Sequence, residues 1–322
     1  MARGARLASR TSPRVAASEF TVSSTRPTAW AGEPNYPHRV NALSRGILEL
    51  IDTSAWVGTA RYHHRHMGSR DPLFDLAGRV AAVTGASSGL GARFARVLRA
   101  RRAEVVVAGR RTERLEALAA ELDANHALVV PADVTDEAAV RRVVDSAVDR
   151  FGRLDIMVNN AGNSDGGAAE AQDLASFRHI LEVNLTATFT GCREAARIML
   201  PQGSGSIVNV ASIAGIVSLS QRHPMAGYVA SKSGVVGLTR ELGAQWASRG
   251  VRVNAIAPGW FPSELTGQLR DAEQVRWIEQ HTPLGRAGRA DELDGLLVFL
   301  ASDASSYVVG QTVVADGGWT VW

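Results

Sequence analysis

Residues 227–234 read Gly-Tyr-Val-Ala-Ser-Lys-Ser-Gly, and Lys232 in this stretch is the only lysine among 322 residues; every other strongly basic side chain is arginine. Tyr228 stands four residues earlier, so on a helix the two share a face. A phenol titrates near ~10 and is a poor base at neutral pH. A neighbouring ammonium favours the phenolate and is expected to lower that value. Such a pair can pass a proton to or from an oxygen that alternates between carbonyl and alkoxide. A guanidinium would supply charge but is not suited to proton relay, which accounts for a lysine persisting here.

A second stretch, Thr84-Gly85-Ala86-Ser87-Ser88-Gly89-Leu90-Gly91, follows an apolar run and precedes a helical pattern. Glycines let a backbone turn tightly and approach a pyrophosphate. A helix N-terminus then offers free N–H groups and the positive end of its dipole. Between a strand and a helix, this stretch reads as a dinucleotide cradle.

The elements that must position these residues are legible from residue 79 onward. Apolar runs (within 79–85, 104–109, 127–133, 154–162, 205–212, 251–259 and 311–318) alternate with helical patterns such as 112–122, 136–151 and 226–248. Continuous β-branched runs between helices predict a parallel sheet buried on both faces. With right-handed crossovers this is a single doubly wound α/β sheet of Rossmann type.

The spacing TGxxxGxG resembles the short-chain dehydrogenase/reductase family, and the resemblance spans about residues 73–322. It is carried further by Asp133 in PADVTD, Asn159-Asn160-Ala161-Gly162, Asn184 in EVNL, Ser212 in IVNVASIAG, Tyr228-x-x-x-Lys232 and Pro258-Gly259. The resemblance implies an NAD(P)-dependent oxidoreductase in which Asn184, Ser212, Tyr228 and Lys232 are catalytic. Ser212 would bond the substrate oxygen, and Asn184 would hold a water linking Lys232 to solvent. Gly85, Ser87, Ser88, Gly89, Leu90 and Gly91 would cradle the cofactor, with Tyr228 and Lys232 also touching it. Asp133 and Val134 would lie beside the adenine, Asn160, Ala161 and Gly162 would flank the cofactor, and Pro258 and Gly259 would lie beside the nicotinamide. A homotetramer is also implied. The tail DGGWTVW agrees with it if both of its tryptophans are exposed, an odd choice for a monomer.

The second strand ends at Gly109, followed by Arg110 and Arg111. A free ribose 2′-OH calls for a carboxylate at that strand end, whereas a 2′-phosphate calls for a guanidinium. Gly109 supplies no acid and Arg110 follows it, so NADP(H) is expected over NAD(H). Substrate contacts are expected from Arg222 and His223, in a polar segment before Tyr228, and from Trp260 and Phe261 after Gly259. Glu264 has no evident place in that second, apolar wall. The substrate is read as a small free sugar acid, polyol or ketone. The alternatives are a 3-oxoacyl thioester on an acyl carrier protein, or a catalytically silent cofactor-binding module.

Charge divides the chain. Residues 1–70 hold ten arginines and four acids, while the rest carries a small net negative charge. The body therefore gives no reason to expect nucleic acid. Residues 1–66 are expected to be a mostly disordered extension or a gene-model artefact ahead of a domain at 67–322, and the histidines at 63, 64 and 66 an incidental cluster, with no metal site. The one cysteine, Cys192, forms no intrachain disulfide and reads as a buried thiol in a cytoplasmic protein. No run approaches the ~18 apolar residues of a membrane span.

Overall fold

The computed structural model describes residues 71–164, 166–219, 223–264, 266 and 271–321. The expectations for residues 1–66 and for Arg222 lie outside them.

Seven parallel strands form one sheet in the order β3-β2-β1-β4-β5-β6-β7: β1 Val80–Thr84, β2 Glu104–Gly109, β3 Ala127–Pro131, β4 Ile156–Asn159, β5 Gly205–Val210, β6 Val251–Pro258 and β7 Thr312–Ala315. All residues of β1 and β4 are buried, as the unbroken apolar runs demand of strands covered on both faces. On one face Phe94 and Leu98 of α1 (Gly89–Ala100), Leu115 of α2 (Thr112–Glu121) and Leu297 of α8 (Asp294–Ala301) pack on Val83, Val105 and Val107. On the other, Val143 and Val144 of α3 (Glu137–Phe151), Met199 of α5 (Ala187–Gln202) and Trp246 of α6 (Ala226–Trp246) pack on Ala82, Met157 and Ile207. The helices α4 (Leu174–Leu181) and α7 (Ala272–His281) complete the set.

Local chemistry sets where these helices begin. Asp136 caps α3 by accepting from Ala138 N, and Asp173 caps α4 by accepting from Ala175 N and Ser176 N. Between α4 and α5 the helix does not stop. It widens into a π turn at Glu182–Thr186, so 174–202 is one helix carrying a π-bulge, with Asn184 inside it.

The strand order reverses between β1 and β4, so a crevice opens beyond their carboxyl ends. Thr84 stitches that end together. Its Oγ1 accepts from Asn160 N and Ala161 N, both at 3.1 Å, while Asn160 Nδ2 donates to Thr84 O at 2.9 Å.

Candidate active site

The crevice is a groove of about 410 Å³ bordered by Gly85, Ser87–Gly91, Arg110, Asp133, Val134, Asn160–Gly162, Ser212, Tyr228, Lys232, Pro258 and Gly259. Phe261 and Glu264 also reach it. The floor is glycine by necessity. A Cβ on Gly91 would lie 2.3 Å from Gly85 O and 2.4 Å from Asn160 Nδ2. Gly85 itself has φ +66°, a conformation that disfavours other residues. This close-packed turn leads directly into α1, whose first N–H groups face the groove without a side-chain cap from Ser88.

Tyr228 and Lys232 stand one turn apart on α6. The Tyr228 hydroxyl is hydrogen-bonded to Ser212, whose Oγ also accepts from Ala214 N at 3.1 Å. Lys232 is 4% exposed, and its Nζ donates to Val210 O at 2.8 Å. Nζ lies 5.7 Å from the centre of the Tyr228 ring. The electrostatics differ from the expectation of a phenol lowered by its lysine. Burial pushes Tyr228 up, with the Ser212 bond opposing it, and burial pushes Lys232 down to about 8. The reason is that desolvation penalises both charged forms, and the ammonium is directed to a backbone carbonyl rather than to the phenol.

Asn184 is wholly buried. Its Nδ2 donates to Asn163 O at 2.8 Å and to Ser231 Oγ at 3.0 Å, and its Oδ1 accepts from Asn163 N at 2.8 Å. These bonds tie the π turn to α6 and to the segment after β4. A Cβ on Gly162 would lie 3.4 Å from Asn184 Oδ1 and 3.7 Å from Lys232 Nζ, so both groups border the same gap. Cys192 sits behind this layer between Asn159 and Asn209, and burial pushes its thiol to about 12, which makes it inert.

At the opposite chemical pole of the groove, Asp133 is held below its usual range by the Thr135 N–H and hydroxyl, with Arg110 adding to it. Arg110 is 76% exposed in its side chain and approaches Asp133 no closer than 3.9 Å. Arg111 is the better-placed guanidinium. It donates through Nε to Ser87 Oγ at 3.1 Å and through Nη2 to Ser88 Oγ at 2.6 Å. The sequence reading pairs the cofactor with Arg110, names Arg111 only as its neighbour and does not weigh Arg114. Their spacing of three at the start of α2 is the signal that could have brought them in.

The predicted substrate wall is distributed differently. His223 and Trp260 are buried in an aromatic cluster with Trp277 and Trp319, the ring centres 5.1–6.4 Å apart. Tyr228 and Met225 pack against the same cluster. Phe261 borders the groove. Trp319 belongs to this cluster and is partly buried, so the expectation of two exposed tail tryptophans does not hold for it. Trp322 lies outside the described residues.

The donor set fits a nicotinamide dinucleotide. A glycine floor admits close backbone approach, a helix N-terminus faces it, and two guanidiniums with two serine hydroxyls gather at one edge. Among the described residues, no group of His, Cys, Asp or Glu could hold a metal ion. None of the described helices is long and apolar enough to cross a membrane.

Residues 85–320 match the family model described as enoyl-(acyl carrier protein) reductase. The chain is 39% identical over 252 residues to the galactitol 2-dehydrogenase (L-tagatose-forming) of Cereibacter sphaeroides, covering 78% of this chain and 98% of that one. It is 37% identical over 251 residues to a 3-oxoacyl-[acyl-carrier-protein] reductase of Synechocystis sp., covering 77% and 99%. Among solved structures it is similar to a gluconate 5-dehydrogenase from Burkholderia cenocepacia J2315 in complex with NADP and tartrate. That match has a TM-score of 0.74 and 36% identity, covering 78% of this chain and 98% of the other.

Proposed function

Since the chain belongs to the short-chain dehydrogenase/reductase family and is an NAD(P)-dependent oxidoreductase acting on alcohol groups, we propose that it interconverts a secondary alcohol and a carbonyl on a small free polyol or sugar acid, with NADP(H) preferred. The observation that carries this reading is the meeting of Ser212, Tyr228 and Lys232 on one groove whose far edge gathers Arg111, Arg114, Ser87 and Ser88. The galactitol and gluconate enzymes among its relatives support the substrate class.

When bound, the nicotinamide exchanges a hydride with the substrate carbon. The residues of the chain manage the oxygen and its proton. Ser212 and the Tyr228 hydroxyl bind the carbonyl oxygen, and Tyr228 gives its proton as the oxygen becomes an alkoxide. A phenol is protonated at neutral pH, the form that reduction requires, and burial pushes Tyr228 further that way. Lys232, held down at about 8, can both give and accept a proton near neutrality, which arginine cannot. It replenishes Tyr228, and Asn184 fixes the far side of that route through its bonds to Asn163 and Ser231. Gly85, Gly89, Leu90 and Gly91 would hold the pyrophosphate. Asp133 and Val134 would lie beside the adenine, Asn160, Ala161 and Gly162 would flank the cofactor, and Pro258 and Gly259 would lie beside the nicotinamide. We further read the protein as a cytoplasmic homotetramer, on the family resemblance and the reduced, buried Cys192.

A second reading, reduction of a 3-oxoacyl thioester, is supported by the Synechocystis relative. The two are separated by assaying polyols, sugar acids, simple ketones and an acetoacetyl thioester with both cofactors. The primary reading expects kcat/KM at least tenfold higher for a polyol or sugar acid than for the thioester. The reverse ranking establishes the second. No turnover of any kind would leave only a cofactor-binding module.

A further inference from the structure

Glu264 places a carboxylate among the groups that an adenosine phosphate would engage. Its Oε1 accepts from Arg114 Nη1 at 2.7 Å and from Arg111 Nη1 at 3.1 Å. Its Oε2 accepts from Ser88 Oγ at 2.8 Å and lies 2.9 Å from Arg111 Nη2. Ser88 is the residue that precedes α1, yet its hydroxyl makes no capping bond and is given to Glu264 instead. Arg111 holds the corresponding position before α2. The carboxylate therefore sits where two helix N-termini, two guanidiniums and a hydroxyl converge. Glu264 is about half exposed and belongs to no part of the core, so packing does not explain the arrangement.

An anion receptor of this composition suits a ribose 2′-phosphate, which asks for a bidentate guanidinium and hydroxyl donors. The position where a carboxylate would read a free 2′-OH is Gly109, whose missing side chain would face Ser87 at 3.6 Å. The chain thus supplies a receptor for a phosphate and, from a segment about 150 residues away, an anion already seated in it.

We propose that Glu264 is a cofactor-specificity residue whose carboxylate occupies the 2′-phosphate subsite and must be displaced by NADP(H), so that it narrows the discrimination between NADP(H) and NAD(H). This rests on the groove being the dinucleotide site. Arg111, Ser88 and Arg114 hold the Glu264 carboxyl at about 2, so it competes as a full charge at any working pH. A phosphate entering the subsite must sever those bonds, whereas an unphosphorylated ribose leaves them in place.

Calorimetry on the full chain tests this with 2′,5′-ADP and 5′-AMP as probes. The quantity read is the ratio of the 5′-AMP Kd to the 2′,5′-ADP Kd, for the wild type, Glu264→Gln and Glu264→Ala. The ratio rises at least fivefold in both variants, and 5′-AMP binding shows that each is folded. Adding Arg111→Gln to Glu264→Gln removes the rise, because the freed guanidinium is what the phosphate gains. A ratio within fivefold of wild type, or a rise that survives loss of Arg111, overturns the proposal. The cofactor reading is judged separately. A wild type that binds 5′-AMP more tightly than 2′,5′-ADP refutes NADP(H) preference without touching the effect of Glu264.

Discussion

Lys232 offers a measurement that few proteins allow, because one titration belongs to one atom. With its Nζ buried and, among the described residues, bonded to the Val210 carbonyl, its pKa falls from the ordinary 10.5 to about 8. At about 1.36 kcal/mol per decade of proton affinity, this corresponds to about 3 kcal/mol of cost for the charged form in the folded state. The sign follows from proton counting. Below pH 8 both folded and unfolded chains carry the proton, so the whole penalty applies. Between 8 and 10.5 the unfolded chain binds more protons, so this contribution makes stability rise with pH. Above 10.5 the penalty is gone. Lys232→Met should therefore stabilise the cofactor-free protein at pH 7. The gain should be about 2 kcal/mol, once about 1 kcal/mol for the lost bond to Val210 is deducted. That gain should vanish near about pH 10 and turn into a loss of about 1 kcal/mol above about pH 10.5, where only the lost bond remains. Urea unfolding of both proteins across this range gives the difference. Lysine labelled with carbon-13 at the ε-carbon gives a single resonance whose midpoint reads the pKa directly. A midpoint above about 10, or a stability gain that does not change with pH, would refute the desolvation argument and with it the account of Lys232 as a relay.

Tyr228→Phe should lower kcat at least ~100-fold while 2′,5′-ADP binding by calorimetry stays within about threefold, since the phenol handles the proton and the ring only packs. Gly91→Ala should weaken 2′,5′-ADP binding at least tenfold and cost about 1–3 kcal/mol in urea unfolding, because its methyl would meet Gly85 O and Asn160 at 2.3–2.4 Å. Unchanged affinity would show that the turn relaxes. Light scattering at micromolar concentration should return four copies per particle, and a monomer would remove the tetramer reading.

The sheet and the two motifs that carry the chemistry were legible because each is written locally. Period and β-branching mark the strands, spacing of four puts Tyr228 with Lys232, and strand–glycine–helix marks the cradle. What remained hidden was long-range. Glu264 reaches Arg111 across 153 positions, and nothing in its own neighbourhood announces a basic partner. The direction of the Tyr228 shift was also out of reach, because it depends on burial and on a backbone acceptor, neither of which has a side-chain signature. His223 and Trp260 were placed on the substrate wall by proximity in sequence. Trp277 and Trp319, which draw them into a buried cluster, come from two later segments.

The π turn at Glu182–Thr186 has a consequence for how this chain tolerates length change. A π turn is an α-helix with one residue too many. Deleting any single residue of the five would restore regular α geometry and a continuous hydrogen-bond ladder, a change that looks mild by helix propensity. Because the wide turn absorbs its extra residue, 174–181 and 187–202 would keep their places. The change would fall inside the turn, where Asn184 would lose its aim at Asn163 and Ser231 together. The extra residue thus serves the aim of one side chain rather than the course of the helix. A one-residue gap at this point in a related chain, without compensation elsewhere, would mark a protein that has kept the fold and given up the reaction.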